Sequence, residues 1–277
     1  MSSDKRGLGK SPSLLCKTKY PIMLVHGVGS RERKHSSCWG RIPKALENEG
    51  AEIFCSNQDA WGTIEENAGM VKESILAVLS KTGHKKVNVI ALSKGGLEVR
   101  YMIHQLEMGD KIASLTTIST PHNGSKTMDY LYRSHKYILK LIDFIIDPLY
   151  RLLGDKNPDF YSTCHQFTTA RSERFNHEIL NSSKVIYQSY ASIMKKPYSD
   201  MLLFIPHIIV KLFDGECDGI VSIDSAKWGV FKGVITGKGI RGISHSDLRD
   251  IRKMDLFGMN IRGIYIDIVN NLKQMGL

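Results

Sequence analysis

Two spacings of apolar residues alternate along the first 120 positions. Residues 20–25 (YPIMLV), 51–55, 87–92 (VNVIAL) and 112–118 are short apolar runs that read as buried strands. Between them the period changes to that of a helix. Residues 39–49 place Ile42 and Leu46 inward, and residues 64–82 align Ala68, Val71, Ile75, Val78 and Leu79 on one face until Gly83 stops the run. After the third strand another helical pattern starts at once, carrying Leu97, Tyr101 and His104. Strand and helix in strict alternation predict an α/β fold with a mostly parallel, doubly wound central sheet flanked by helices.

Beyond residue 125 the pattern changes. Residues 137–153 (YILKLIDFIIDPLYRLL) carry apolar side chains nearly all round, so a helix there must be buried or lie against lipid. It is either a core helix or a lid or acyl-pocket wall, within a helical insertion at about 126–180, with Pro148 and Gly154 placed to bend or end it. Residues 201–212 form a second apolar helix near the same pocket. Residues 185–190 return to the sheet, 247–254 read as a short helix, and 259–275 close the chain with Ile264, Ile268 and Leu272 facing inward. Residues 1–18 read as a flexible tail before a single domain, 19–277.

A chain of 277 residues suffices for one large α/β domain with a full core. No apolar run reaches the ~18 residues of a membrane span. The polar, basic start lacks the apolar stretch of a signal peptide, which favours the cytoplasm unless a leader has been removed. Five scattered cysteines without C-x-x-C spacing argue against a disulfide framework or a zinc site. The net charge of +10 is spread out and no nucleic-acid recognition motif accompanies it. A solvated basic surface is expected, with some pull towards anionic lipid.

The chemistry centres on Ser93. It sits where an apolar strand ends and a helix begins, with Ala91 two residues before and Gly95 two after. This is a nucleophile elbow in the form A-x-S-x-G. The turn lifts the hydroxyl clear of the sheet and turns the Lys94 N–H the same way. The first strand ends in His26-Gly27-Val28-Gly29, a loop with free amides that supplies an oxyanion donor from Val28 beside that of Lys94. Late in the chain, Asp218 lies in a D-G-I-V turn and His245 in I-S-H-S-D. Together they give the order serine, acid, histidine that accompanies an elbow. His122 precedes the acid and reads as a wall of the site, as His207 precedes it too; Asp214 and Asp224 rival Asp218 only by proximity.

The runs YPIMLVHGVG, the segment 39–62, the elbow followed by GGLEVRY, and TISTPHNGS resemble the bacterial triacylglycerol lipases of the Pseudomonas and Burkholderia type. The likeness continues more weakly to CDGIVS and ISHSD, covering about residues 20–250. It implies an α/β-hydrolase fold with a helical lid, and a lipase or esterase acting on acylglycerols or similar esters through an acyl-enzyme. Substrate contact would include a transient meeting with a lipid interface, with no nucleic acid involved. The departures are Ala91 in place of the usual Gly and Lys94 in place of Gln or Met, which alters the electrostatics of the site. The chemistry needs no cofactor. The resemblance further implies a structural Ca²⁺ that braces the loop of the catalytic histidine, with Asp247 matching one ligand and Asp200 a partner; oxygen donors of this kind suit calcium. A helix N-cap role for Asp247 stands beside that reading. Two other functions remain open on the same residues: an acyltransferase, and a non-catalytic binding protein on this fold.

Overall fold

A computed structural model describes residues 14–32, 37–237, 239–253, 255 and 260–277. Its centre is a six-stranded sheet of β1 (Ile22–Val25), β2 (Ile53–Cys55), β3 (Val87–Leu92), β4 (Ile112–Ile118), β5 (Ile186–Ser192) and β6 (Val230–Ile235). The order is β2-β1-β3-β4-β5-β6 and every neighbouring pair is parallel. Strands β1, β3 and β4 are buried throughout, as continuous apolar runs covered on both faces must be.

One face is covered by α1 (Ile42–Asn48) and α8 (Ile261–Gln274), through Trp39, Ile42, Leu46, Tyr265, Ile268 and Leu272. The other is covered by α2 (Ile64–Thr82) and α3 (Lys94–Gln105), through Val71, Ile75, Val99 and Met102. Helix α2 begins where the Thr63 side chain accepts the Glu66 N–H and ends at Gly83 in the left-handed region (φ 73°). Because β2 lies on one side of β1 and β3 on the other, the winding reverses at β1. A crevice therefore opens at the carboxyl ends of β1 and β3, the place where this architecture puts its ligands.

Two helical insertions stand over that end of the sheet. Between β4 and β5 run α4 (Lys126–Leu152), α5 (Phe160–His165) and α6 (Thr169–Glu178); between β5 and β6 runs α7 (Phe204–Asp214). Helix α4 breaks helical geometry at His135, continues through Pro148, and packs on α5 and α7. It is not the core helix that its composition allows. Leu139 is buried, but Tyr137, Leu141, Phe144, Ile145 and Leu152 face outward, Phe144 being 76% and Leu152 85% exposed. No helix among the described residues is long and apolar enough to cross a membrane.

Several boundaries differ from those expected. Residues 14–18 of the expected tail are tied down: Cys16 is fully buried and its N–H donates to the Glu49 carbonyl at 2.9 Å. Residues 1–13 of that tail lie outside the described residues. The helix expected over 247–254 is a 3-10 turn, Asp247–Arg249, which ends because Asp250 enters the left-handed region (φ 52°). Met254, and Met259 at the expected start of the last helix, lie outside the described residues. Strand β6 has no counterpart in the sequence reading. It is an edge strand with alternating exposure and a central glycine, so its apolar signal is weak.

Candidate active site

Ser93 follows β3 directly and opens α3 with φ 55° and ψ −132°, a conformation that serine seldom adopts. Three hydrogen bonds hold it there. Its N–H donates to the Ile118 carbonyl (3.0 Å), and its carbonyl accepts from the Gly96 N–H (3.1 Å) and from Thr120 Oγ1 (2.7 Å). The turn after β1 presses against this elbow. A Cβ on Gly27 would stand 2.6 Å from Ser93 Cβ, and one on Gly95 would stand 2.5 Å from the His26 carbonyl oxygen. These are the contacts that require small residues in both motifs. The register pairing Val25 with Ala91 brings the two loops out side by side. Among the described residues no hydrogen bond takes the Val28 amide, and the Lys94 amide opens α3, where intrahelical acceptors are lacking.

Asp218 and His245 meet as the sequence order predicts. Asp218 is fully buried; its Oδ2 accepts from His245 Nδ1 at 2.8 Å and from Ser192 Oγ at 3.0 Å. Its Oδ1 accepts the N–H groups of Ile220 (3.1 Å) and Val221 (2.9 Å). The backbones are joined as well, His245 N–H donating to the Asp218 carbonyl at 2.9 Å. Burial alone would push this carboxyl up. The His245 imidazole, the Val221 amide and the Ser119 hydroxyl outweigh it and hold the group below the usual carboxylate range, so Asp218 is ionised near neutrality. A proton on Nδ1 facing the carboxylate leaves Nε2 as the basic nitrogen. The Ser93 hydroxyl makes no hydrogen bond among the described residues: Asp218 and His245 are in contact, and no hydrogen bond joins His245 to the Ser93 hydroxyl.

Sequence reading missed Ser192 and Ser119. Ser192 ends β5, Ser119 follows β4, and their hydroxyls lie 2.9 Å apart behind Asp218. A hydroxyl residue at the carboxyl end of each of two adjacent strands was the available signal. The rivals fall away. Asp214 binds the first amides of α4, Lys126 N–H at 2.7 Å and Thr127 N–H at 3.0 Å. Asp224 is paired with Lys227 on the surface. His122 is fully buried between Thr117 and Arg100 and stacked on Trp228; burial, then the Arg100 charge, drive its pKa well below 6.5. His207 is buried against Cys217.

The Lys94 side chain does not reach the site. It turns inward, 1% exposed, and its ammonium pairs with Glu98 at 2.7 Å and donates to the Gly62 carbonyl. Glu98 also accepts from Gln58 (3.0 Å) and Asn67 (2.8 Å), and Gln58 donates to the His26 carbonyl (2.9 Å). A lone charge at this depth would be strongly destabilising, so the pair is self-neutralising. The network moors the loop after β1 to α3, and Thr163 of α5 shares the Gly62 carbonyl.

Above Ser93 lies a cavity of about 420 Å³, walled by Val28, Met128, Leu131, Phe160, Ile209 and Val221 and mainly apolar. Its size and lining suit an acyl chain. Asp200 and Asp247, expected as calcium ligands, do meet near the His245 loop, but on cations of the protein itself. Arg252 Nη2 lies 2.6 Å from Asp200, and Arg241 Nη1 lies 2.5 Å from Asp247. Calcium takes six to eight oxygen donors, and these carboxylates are engaged by guanidinium groups, so the residues present do not fit that ion.

Known proteins resemble this chain in sequence and in fold. A sequence model of the family described as palmitoyl protein thioesterase matches residues 21–199. Triacylglycerol lipase 2 of Saccharomyces cerevisiae is 34% identical over 206 residues, 71% of this chain and 59% of its own length. A triacylglycerol lipase of Burkholderia plantarii is 35% identical over 120 residues, 41% of this chain and 33% of its own length. The aligned part of the chain thus spans three fifths of the yeast relative and a third of the bacterial one. Among solved structures, Staphylococcus hyicus lipase superposes with a TM-score of 0.72 at 16% identity, covering 96% of this chain and 99% of that one. Bacillus licheniformis lipase BlEst2 in mature form gives 0.66 at 19%, covering 91% and 92%. At such identities the superpositions establish the fold. With the sequence model matching most of its length, the chain belongs to the palmitoyl protein thioesterase family of α/β-hydrolases.

Proposed function

We propose that this protein hydrolyses carboxylic esters of apolar acyl groups, with Ser93 as nucleophile, His245 as base and Asp218 as the group that orients it. The observation that carries this reading is the 2.8 Å bond from His245 to a buried, ionised Asp218 at the sheet edge that also carries the strained Ser93. Ser93 Oγ attacks the carbonyl carbon as its proton passes to His245 Nε2. Serine–histidine contacts are often long in empty sites and tighten once substrate is bound. The oxyanion takes hydrogen bonds from the Val28 and Lys94 amides, each contributing ~2.7–4 kcal/mol. His245 returns the proton to the leaving alcohol, and water, activated the same way, frees the acid and restores the serine. The apolar cavity supports an acyl chain as the buried part of the substrate. The exposed apolar face of α4 supports a transient contact with a lipid surface.

A second reading has its own support: the family is named for thioester substrates. Matched oxygen-ester and thioester series of rising acyl length, run on the wild type and on Ser93→Ala, test both. Loss of about 10⁴- to 10⁶-fold in kcat is expected for the variant on every substrate. Full activity in Ser93→Ala would remove the mechanism, and activity confined to thioesters would replace the first reading by the second.

A further inference from the structure

We infer that Arg252 is a positioning residue of the base, a built-in cation that braces the His245 loop and takes the place of a divalent metal. The inference rests on reading His245 as the base. That residue lies in a segment without regular secondary structure, between Gly242 and the 3-10 turn at Asp247. Its neighbour Ser244 is clamped from two sides: the Oγ donates to Asp200 Oδ2 (2.8 Å) and the N–H donates to Asp247 Oδ2 (3.0 Å). Both carboxylates are buried, and two adjacent buried anions would repel each other and the site.

Arg252 reaches both, at 2.6 Å from Asp200 Oδ1 and 3.7 Å from Asp247 Oδ1, while Arg241 takes Asp247 with both arms of its fork, at 2.5 and 3.2 Å. Asp200 is held below the usual carboxylate range: burial pushes it up, but Arg252, Ser244 and Ser246 outweigh that. Every carboxylate oxygen of the pair already accepts a donor, since Asp200 Oδ1 also takes the Leu202 amide. The far end of the segment is pinned separately, Asp250 receiving two hydrogen bonds of 2.8 Å from the Arg41 side chain. A guanidinium suits this task because its charge is permanent and its planar fork fixes two carboxylates at once. Unlike a bound metal ion, it cannot be removed by chelation.

The test uses the purified full chain. Melting temperature and turnover of a soluble p-nitrophenyl ester are measured with EDTA and with millimolar calcium chloride. Both are expected to stay unchanged in the wild type, and calorimetric titration with calcium chloride should give no binding heat. Arg252→Gln should lose about tenfold to a hundredfold in kcat with little change in KM, and Arg252→Lys should recover part of that loss. Titration of Arg252→Gln with calcium chloride should still give no binding heat, because Arg241 continues to hold Asp247. A wild type that loses melting temperature in EDTA and regains it with calcium would overturn the inference. So would a correctly folded Arg252→Gln with undiminished kcat. Should Arg252→Gln fail to fold, the lysine variant and the wild-type measurements still decide. If no ester is turned over at all, the proposed hydrolysis fails, while the melting and calorimetric arms still judge the brace.

Discussion

The carboxyl edge of the sheet and the helical insertion above it follow opposite rules. At the edge, charged groups are buried and paired: the Asp218 carboxylate accepts four hydrogen bonds, and Lys94 and Glu98 pair beneath the elbow. In the insertion, apolar groups are exposed: Phe144, Leu141 and Leu152 on α4, and Ile205 and Leu212 on α7, stand in solvent. A preorganised charge site needs every donor fixed before substrate arrives, because reorientation during the reaction would raise the barrier. A surface for an apolar partner needs the reverse, an area left uncovered until the partner is there. The two regions meet at the cavity over Ser93.

That contrast can be broken at the edge with the largest effect. Asp218→Asn keeps the size of the side chain but removes its charge and allows the wrong histidine tautomer. A fall of about 10⁴-fold in kcat is expected on any ester. A drop smaller than tenfold in a steady-state assay would separate Asp218 from the chemistry.

Acid sharpens the comparison next. His26, under the loop after β1, is lowered from 6.5 to about 4, first by its burial. The unfolded chain therefore binds more protons than the folded one between these values. The stability that His26 contributes is complete above pH 6.5 and is lost as the pH falls towards 4. The loss is on the order of 3 kcal/mol. Thermal melts across this window should show it, and His26→Asn should flatten the dependence.

The smallest effect belongs to the insertion. Leu141→Ser combined with Phe144→Ser removes two exposed apolar side chains that do not line the cavity. Hydrolysis of emulsified long-chain esters should fall about tenfold, with soluble short-chain esters unaffected. Equal losses on both substrates would mean that the α4 face supports the site itself and not a lipid contact.

Much of the edge was legible in the chain. The elbow, the H-G-V-G loop and the order Ser93, Asp218, His245 are fixed by backbone geometry that only certain small or special residues allow, so the motif carries its context. Helix α2 was read to the residue because cap, periodicity and stop signal agree. The partners of buried charges were not legible. Asp200 and Asp247 suggest a metal only through the resemblance to the bacterial lipases, whereas the guanidinium groups that hold them come from Arg252 and Arg241 through the fold. The orientation of α4 was hidden for a related reason. Apolar residues nearly all round a helix do not say which side packs inward, and only the contacts with α5 and α7 decide it. The shortened turn at 247–249 reflects the pull of the Asp250–Arg41 bond, a contact 209 positions distant in sequence.

Ser93 holds φ 55° and ψ −132°, a setting that glycine enters freely and serine resists. Selection for a sturdier polymer and selection for a working one therefore pull in opposite directions at a single codon. Glycine there would relax the turn and erase the hydroxyl in the same step. A descendant released from its chemistry would be free to settle at its former centre, and glycine at position 93 in an otherwise intact elbow is the mark that such retirement would leave.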